Sequence, residues 1–490
     1  MNARVFSVFA RRICVFSKHL LQNRHCSQGR RTTAIEDEIK EILDDDEGFE
    51  NVRKQISNYG WSLENRNVFV VQPRVKYGPE RFAFDRDYLL QETIALIETL
   101  PNWKVCGFSV VPTIGLKKKA LFGSGNLEKL RAEIFNSNCN TVVLSTDLLT
   151  AMQQSFLEEC LAVPVCDRYS IVLQIFKDHA KTKEAKLQVA LAEIPYIRSK
   201  LRDLHIKSST SDNPLINAVG GSKEKLYDDR KKILRDREGF IRKCLDKLSS
   251  QREINKEQRI RLEIPSVAIV GYTNAGKTSL IKNITNDARL EPQDYLFATL
   301  DVTAHMARLP QGQKTLLLDT VGFISNIPIE LVHAFNSTLN DVVASDLIVH
   351  VYDVSHPNVE EQRKTVMNTL KSIGVSEKLM SSIVEVGNKI DLVESEKLSE
   401  KEHFYISAKK STNIFSLKEE MERRLYVNTN RFMRTLRVLN GGELYQWLWS
   451  NITLASITAD AEDSNFAVVE AYFTEASFAK FLKLANKKVG

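Results

Sequence analysis

No stretch of the 490-residue sequence approaches 18 consecutive apolar residues, so no transmembrane helix is expected. The seven cysteines include no C-x-x-C pair and no secretory signal opens the chain, which leaves seven reduced thiols as the expectation. No internal repeat is present. The first 34 residues lack acid altogether: they hold seven Lys or Arg, and the first acidic residue is Glu36.

That opening segment has its own pattern. Val5, Phe6, Phe9, Ile13 and Phe16 recur at near-helical spacing opposite Arg4, Arg11 and Arg12. An amphipathic, Arg-rich, acid-free start predicts a mitochondrial presequence over 1–34 and a matrix location. The competing reading is a basic arm that binds nucleic acid. Without it, 61 basic residues face 62 acidic ones, and the net charge of +6 becomes −1. A nucleic-acid surface must then come from local clustering rather than from global charge.

The whole chain is 43% hydrophobic and 27% charged, ordinary for a globular protein of about three domains. Residues 35–64 read as an acidic linker. From 65 to 181, strands near 67–75, 104–112 and 141–149 alternate with helices, which predicts an α/β domain with a parallel sheet. Residues 182–262 are dense in helix formers. Leu226, Ile233, Leu234, Phe240, Ile241, Leu245 and Leu248 form an apolar stripe. This predicts a long helical hairpin turning near 213–222. Residues 223–261 carry 14 Lys or Arg against 8 Asp or Glu. Arg230, Lys231, Lys232 and Arg235 are candidates for RNA contact; a solvated helix face is the alternative. Residues 263–426 resume the α/β alternation, and 427–490 read as a small α+β domain.

Chemistry concentrates in 263–426. GYTNAGKT (Gly271, Tyr272, Thr273, Asn274, Ala275, Gly276, Lys277, Thr278) fits G-x-x-x-x-G-K-[ST] between a strand and a helix. Its backbone N–H groups would cradle phosphate, Lys277 would add charge, and Thr278 would ligate Mg²⁺. In FATLD (Phe297, Ala298, Thr299, Leu300, Asp301), Thr299 lies 21 residues after Thr278, where a first switch supplies a second Mg²⁺ ligand. In DTVG (Asp319, Thr320, Val321, Gly322), Asp319 would reach Mg²⁺ through water and Gly322 would offer an N–H to a γ-phosphate. NKID (Asn388, Lys389, Ile390, Asp391) selects the base. Asp391 can accept from guanine N1–H and its 2-amino group, donors that adenine lacks. SAK (Ser407, Ala408, Lys409) would bring the Ala408 N–H to the guanine carbonyl. Four motifs in this order, each at a strand's C-terminal end, predict a GTP site.

One residue is conspicuous by what it is not. Position 323 follows Gly322 and is Phe, where Ras- and Gα-type GTPases carry the glutamine that orients water. A slow intrinsic enzyme follows, with help from a partner or from a rearranged switch.

Taken together, GYTNAGKT, FATLD, DTVGF, NKID and SAK resemble the HflX family of ribosome-associated GTPases, and FGSGNLEKL and IFKDHAKTKEAKLQVALAE resemble its N-terminal domain. The likeness covers most of 65–490. It implies an N-terminal α/β domain with a helical hairpin, a GTPase domain with a mostly parallel sheet and a small C-terminal domain. It also implies a GTP- and Mg²⁺-dependent protein that binds the large ribosomal subunit and its rRNA, in splitting or late assembly. The presequence resembles the mitochondrial members. A departure lies at AVGGSKEKLYDDR, where bacterial members carry a G-P-G-E-T-Q motif. No second P-loop stands in 65–181. A monomer without membrane insertion is expected. The rival readings are a GTPase of tRNA modification or protein signalling, for which no folate, flavin or Cys-based site is found, and a catalytically inert GTP-dependent RNA-binding module.

Overall fold

The computed structural model describes residues 49–52, 65–75, 86–113, 115–116, 118–209, 220–292, 295–297, 299, 303–325, 336–393, 404–460, 463 and 465–486. The expected presequence and residues 213–219 of the expected hairpin turn lie outside them, whereas 220–222, expected in that turn, are helical.

The N-terminal sheet is built from β1 (Arg66–Val75), β2 (Trp103–Thr113), β3 (Thr141–Leu144) and β4 (Val165–Asp167), in the order β2-β1-β3-β4 and parallel throughout. Helices α1 (Arg86–Glu98), α2 (Ser124–Asn136), α3 (Ala151–Leu161) and α4 (Arg168–His179) connect and follow the strands. Val68 through Val71 are buried without alternation, as a parallel strand covered on both faces requires. Strand β3 ends at Leu144, five residues short of the sequence expectation. The chain leaves the sheet there because its polar groups are taken up elsewhere: Leu149 N–H donates to Asp167 at 3.1 Å, and Thr150 caps α3 in a reciprocal capping box with Gln153.

Helix α5 (Lys183–Ser209) is pinned to this sheet by one buried cation. Lys200, 1% exposed, donates to the Leu149 carbonyl at 2.5 Å, to Gln154 at 2.9 Å and to Asp167 at 3.3 Å. Helix α6 (Gly220–Arg261) follows, 42 residues and about 63 Å long at 1.5 Å per residue. Its residues up to Leu248 fall in a compact unit of their own with the N-terminal segment. Within that unit Leu234, Ile241 and Cys244 are buried, and the Arg237 guanidinium lies 3.8 Å above the Phe49 ring.

The second sheet has the order β10-β9-β8-β5-β7-β6. Its strands are β5 (Ser266–Gly271), β6 (Thr303–Arg308), β7 (Lys314–Asp319), β8 (Leu347–Asp353), β9 (Val384–Asn388) and β10 (Phe404–Tyr405). All pairs are parallel except β6 with β7. Helices α7 (Lys277–Thr285), α8 (Asn336–Val343), α9 (Val359–Ser372) and α10 (Ile414–Asn428) belong to this layer. Every residue of β5 is buried, so its C-terminal glycine delivers the following loop from the centre of the sheet.

The C-terminal sheet, β11 (Phe432–Leu439), β13 (Phe466–Phe473) and β12 (Thr453–Ala459), is antiparallel. Alternate residues of β13 are buried, the mark of a sheet covered on one face. Helices α11 (Glu443–Asn451) and α12 (Glu475–Asn486) supply the cover through Leu448 and Phe481. The fold is the α/β class expected.

Removing Lys200 would leave the Asp167 carboxylate buried without its cation. Lys200→Met is expected to lower stability by about 3–5 kcal/mol, read from urea denaturation of the full chain. A loss below 1 kcal/mol would show that α5 does not depend on this contact.

Candidate nucleotide site

The loop after β5 turns through Gly276, whose φ of +89° lies in the left-handed region. A Cβ there would come within 2.3 Å of the Asn388 amide, so a side chain is excluded twice over. Lys277 then starts α7. Its ammonium donates to the carbonyls of Gly271 at 3.2 Å and Tyr272 at 2.9 Å, and burial pulls it down to about 8, opposed by the nearby Asp319 carboxylate.

Three side chains meet beside this lysine. The Thr278 hydroxyl donates to Asp319 Oδ2 at 2.7 Å, the Thr299 hydroxyl does so at 3.2 Å, and the two hydroxyls lie 3.0 Å apart. Burial raises the Asp319 carboxyl above the usual range, against the lowering effect of the Thr278 bond and of Lys277. Its second oxygen, Oδ1, is buried with no hydrogen-bond partner among the described residues. Two hydroxyls around a carboxylate with an orphaned buried oxygen form a hard oxygen donor set that fits Mg²⁺. Gly322 closes this end: a Cβ on it would stand 2.8 Å from the Thr273 methyl and 3.1 Å from Lys277 Nζ.

The other end is a cavity of about 850 Å³ lined by Asn274, Gly276, Asn388, Lys389, Asp391 and Ala408, among others. Asn388 braces it, donating to the Ala275 carbonyl at 2.9 Å. The Ala408 N–H, expected to face a guanine carbonyl, donates to Asn388 Oδ1 at 3.0 Å. Lys389 pairs with Asp353 at 2.9 Å. Asp391 accepts from the Ser407 hydroxyl at 2.7 Å, and that bond holds its carboxyl below the usual range, so the charged acceptor persists. Of the remaining expected contacts, Lys409 lines the cavity, Phe297 and Thr299 line its phosphate end, and Thr320 is buried with its hydroxyl on the Ile269 carbonyl at 2.7 Å. Val321 and Ile390 are half-buried. Ala298, Leu300 and Asp301 lie outside the described residues.

Phe323 is 3% exposed. Its N–H donates to the Gly271 carbonyl at 3.1 Å and its own carbonyl accepts from Thr273 N–H at 2.8 Å. The backbone is thus zipped to the phosphate loop while the ring is enclosed, and it is not among the residues lining the cleft.

Residues 266–389 match a family model described as 50S ribosome-binding GTPase, 179–259 a GTP-binding GTPase middle region, and 87–177 a GTP-binding GTPase N-terminal region. The chain is 40% identical to GTP-binding protein 6 of Homo sapiens over 423 residues, spanning 86% of this chain and 81% of that protein. It is 39% identical to GTPase HflX of Caldanaerobacter subterraneus over 327 residues, 66% of this chain and 74% of that one. The chain belongs to the HflX family of GTPases. A solved GTP-binding protein of Sulfolobus solfataricus in complex with GDP is 25% identical, with a TM-score of 0.36, and covers 73% of this chain and 99% of that one.

This HflX-family site includes contacts that its motifs did not announce. Tyr272, inside the phosphate loop, donates its hydroxyl to Glu92 of α1, which also pairs with Arg168 of α4 at 2.5 Å and accepts from Tyr88 at 3.2 Å. The same Tyr272 oxygen accepts from Ser325 N–H at 2.6 Å and lies 2.7 Å from the Ser325 hydroxyl, just beyond Phe323. Burial first, then the Glu92 charge, raises the Tyr272 phenol, so it keeps the proton it donates. On another side of the cleft, His179 at the end of α4 bonds the Phe297 carbonyl at 3.0 Å, and burial lowers its pKa. One signal was readable: Glu92 sits a helical turn from both Tyr88 and Leu96 on the buried face of α1, an acid where an apolar residue is the norm.

Asp391→Asn exchanges one acceptor for a donor. It is expected to weaken GTP binding well over tenfold, more than 1.4 kcal/mol, and to admit xanthosine triphosphate, both read by fluorescent-nucleotide titration. GTP affinity within threefold of wild type would remove Asp391 from base recognition.

Proposed function

We propose that this GTPase acts on the large subunit of the mitochondrial ribosome, in ribosome splitting or late subunit assembly, as a monomer in the matrix. The observation that carries the nucleotide part is the convergence of Thr278, Thr299 and Asp319 around an unsatisfied carboxylate oxygen, opposite a cavity floored by Asp391. The ribosomal part draws support from the 50S ribosome-binding model over 266–389. The matrix part draws support from the acid-free, amphipathic 1–34.

In this reading Thr278 and Thr299, with Asp319 through a water, would hold Mg²⁺, which would supply charge neutralisation for the phosphates. The phosphate-loop amides and Lys277 cradle the phosphates. Gly322 offers its N–H to the γ-phosphate, so GTP orders the segment through Ser325, and loss of that phosphate releases it. Asp391 accepts from the guanine edge. No side chain at position 323 places the attacking water, so the basal rate is slow and the ribosome completes the site.

Contact with rRNA is assigned to α6. Lys231, Lys232 and Arg235 are exposed and Arg230 is half-buried. Each phosphate contact releases counterions, so binding weakens steeply with salt. Changing these four residues to Glu is expected to abolish co-sedimentation with large subunits while GTP affinity stays within about twofold, below 0.5 kcal/mol. Unchanged co-sedimentation would make this face merely solvated.

Turnover tests the rest. Large subunits are expected to accelerate hydrolysis well over tenfold, a barrier change above about 1.4 kcal/mol. Phe323→Gln is expected to leave the basal rate within about threefold, because the side chain at 323 is enclosed rather than aimed at the cleft. A tenfold rise in the basal rate of Phe323→Gln would contradict this.

A further inference from the structure

Thr299 can respond to a nucleotide only if the segment carrying it is held. That segment has little support of its own: residues 295–297 and Thr299 belong to no helix or strand. Phe297 has φ +57°, a left-handed backbone that bulky non-glycine residues rarely adopt. Such a conformation persists only where the surroundings fix it. Here they come from the N-terminal domain. Phe176 of α4 meets the Phe297 ring edge-on at 4.7 Å between centroids, and Phe297 is 2% exposed. Three residues on, His179 Nδ1 lies 3.0 Å from the Phe297 carbonyl oxygen. A carbonyl only accepts, so Nδ1 carries the proton and donates. The His179 ring also lies 5.0 Å from that of Tyr295. One turn of α4 therefore grips both the side chain and the carbonyl of the residue two places before Thr299.

We propose that His179 is a positioning residue for GTP hydrolysis, acting from the N-terminal domain: it fixes the Phe297 carbonyl, and with Phe176 on the ring it keeps Thr299 at Thr278 and Asp319. The inference rests on reading those three residues as the cluster that senses Mg²⁺ and the γ-phosphate. It adds that a helix outside the GTPase domain sets where the sensor stands. The coupling is reciprocal. A macromolecule that draws α4 away from Phe297 frees Thr299, and a γ-phosphate that engages Thr299 tightens α4 against the switch.

GDP gives Thr299 nothing to sense, whereas a triphosphate does. Loss of the His179 bond therefore costs triphosphate binding and turnover and spares GDP binding; general loosening of the fold would weaken both alike. The test uses the full chain in Mg²⁺, with fluorescence titrations of GDP and of a non-hydrolysable GTP analogue, and single-turnover hydrolysis. His179→Ala is expected to weaken the analogue about tenfold and GDP less than twofold, and to slow hydrolysis about tenfold. His179→Asn places an amide N–H where Nδ1 stands and is expected to recover all but about threefold of both losses. If His179→Ala does not fold, His179→Phe, which keeps a ring beside Tyr295 without the donor, carries the same expectation. Thr299→Ala serves as the control. If it fails to separate analogue from GDP, the reading of the cluster falls, and this proposal with it. If it separates them and His179→Ala does not, or if His179→Asn is no better than His179→Ala, the positioning role alone is overturned.

Discussion

The nucleotide cleft depends on a carboxylate that is not in it. Glu92 is 6% exposed, and a buried charge is tolerated only when fully partnered. Its partners are Arg168, Tyr88 and Tyr272, and through them α1 and α4 of the N-terminal domain are tied to the phosphate loop. Tyr272 hands the constraint on to Ser325, and Tyr88 hands it to Gln362 of α9 at 3.2 Å. The loop, the segment beyond Phe323 and a flanking helix thus share one polar network. Removing a single member would strand the others in a low-dielectric interior, where an unmade hydrogen bond costs about 1–3 kcal/mol.

This network gives the enclosed Phe323 a structural reason. Its backbone is bonded to Gly271 and Thr273, and two residues later Ser325 is bonded to Tyr272. These bonds fix the backbone that encloses the side chain at position 323. The site is built to hold the second switch against the phosphate loop and the N-terminal helices, at the expense of a side chain that could orient water.

What the sequence revealed and what it concealed divide by distance along the chain. The nucleotide motifs are contiguous and stand at strand ends, so Gly276, Lys277, Thr278, Asp319 and Asp391 could be assigned from local pattern. The α/β class followed from unbroken apolar strands such as β5. Glu92 and Tyr272 are 180 positions apart, and His179 and Phe297 are 118 apart. No periodicity links such pairs, so neither contact can be read from local pattern, even though Glu92 on the buried face of α1 is a signal by itself. The bond from the Ala408 N–H to Asn388 was illegible for a related reason: its partner is 20 residues away in another motif, and only the folded sheet brings them together.

Through Glu92 and His179 the N-terminal domain contributes to the nucleotide cleft rather than merely adjoining it. Hydrogen–deuterium exchange of the wild-type chain reads this most directly, by comparing GDP with a non-hydrolysable GTP analogue in Mg²⁺. The amides of α1 around Glu92 and of the last turn of α4 are expected to exchange more slowly with the analogue, together with those at 295–299. Protection confined to the GTPase domain, with α1 and α4 unchanged, would contradict it.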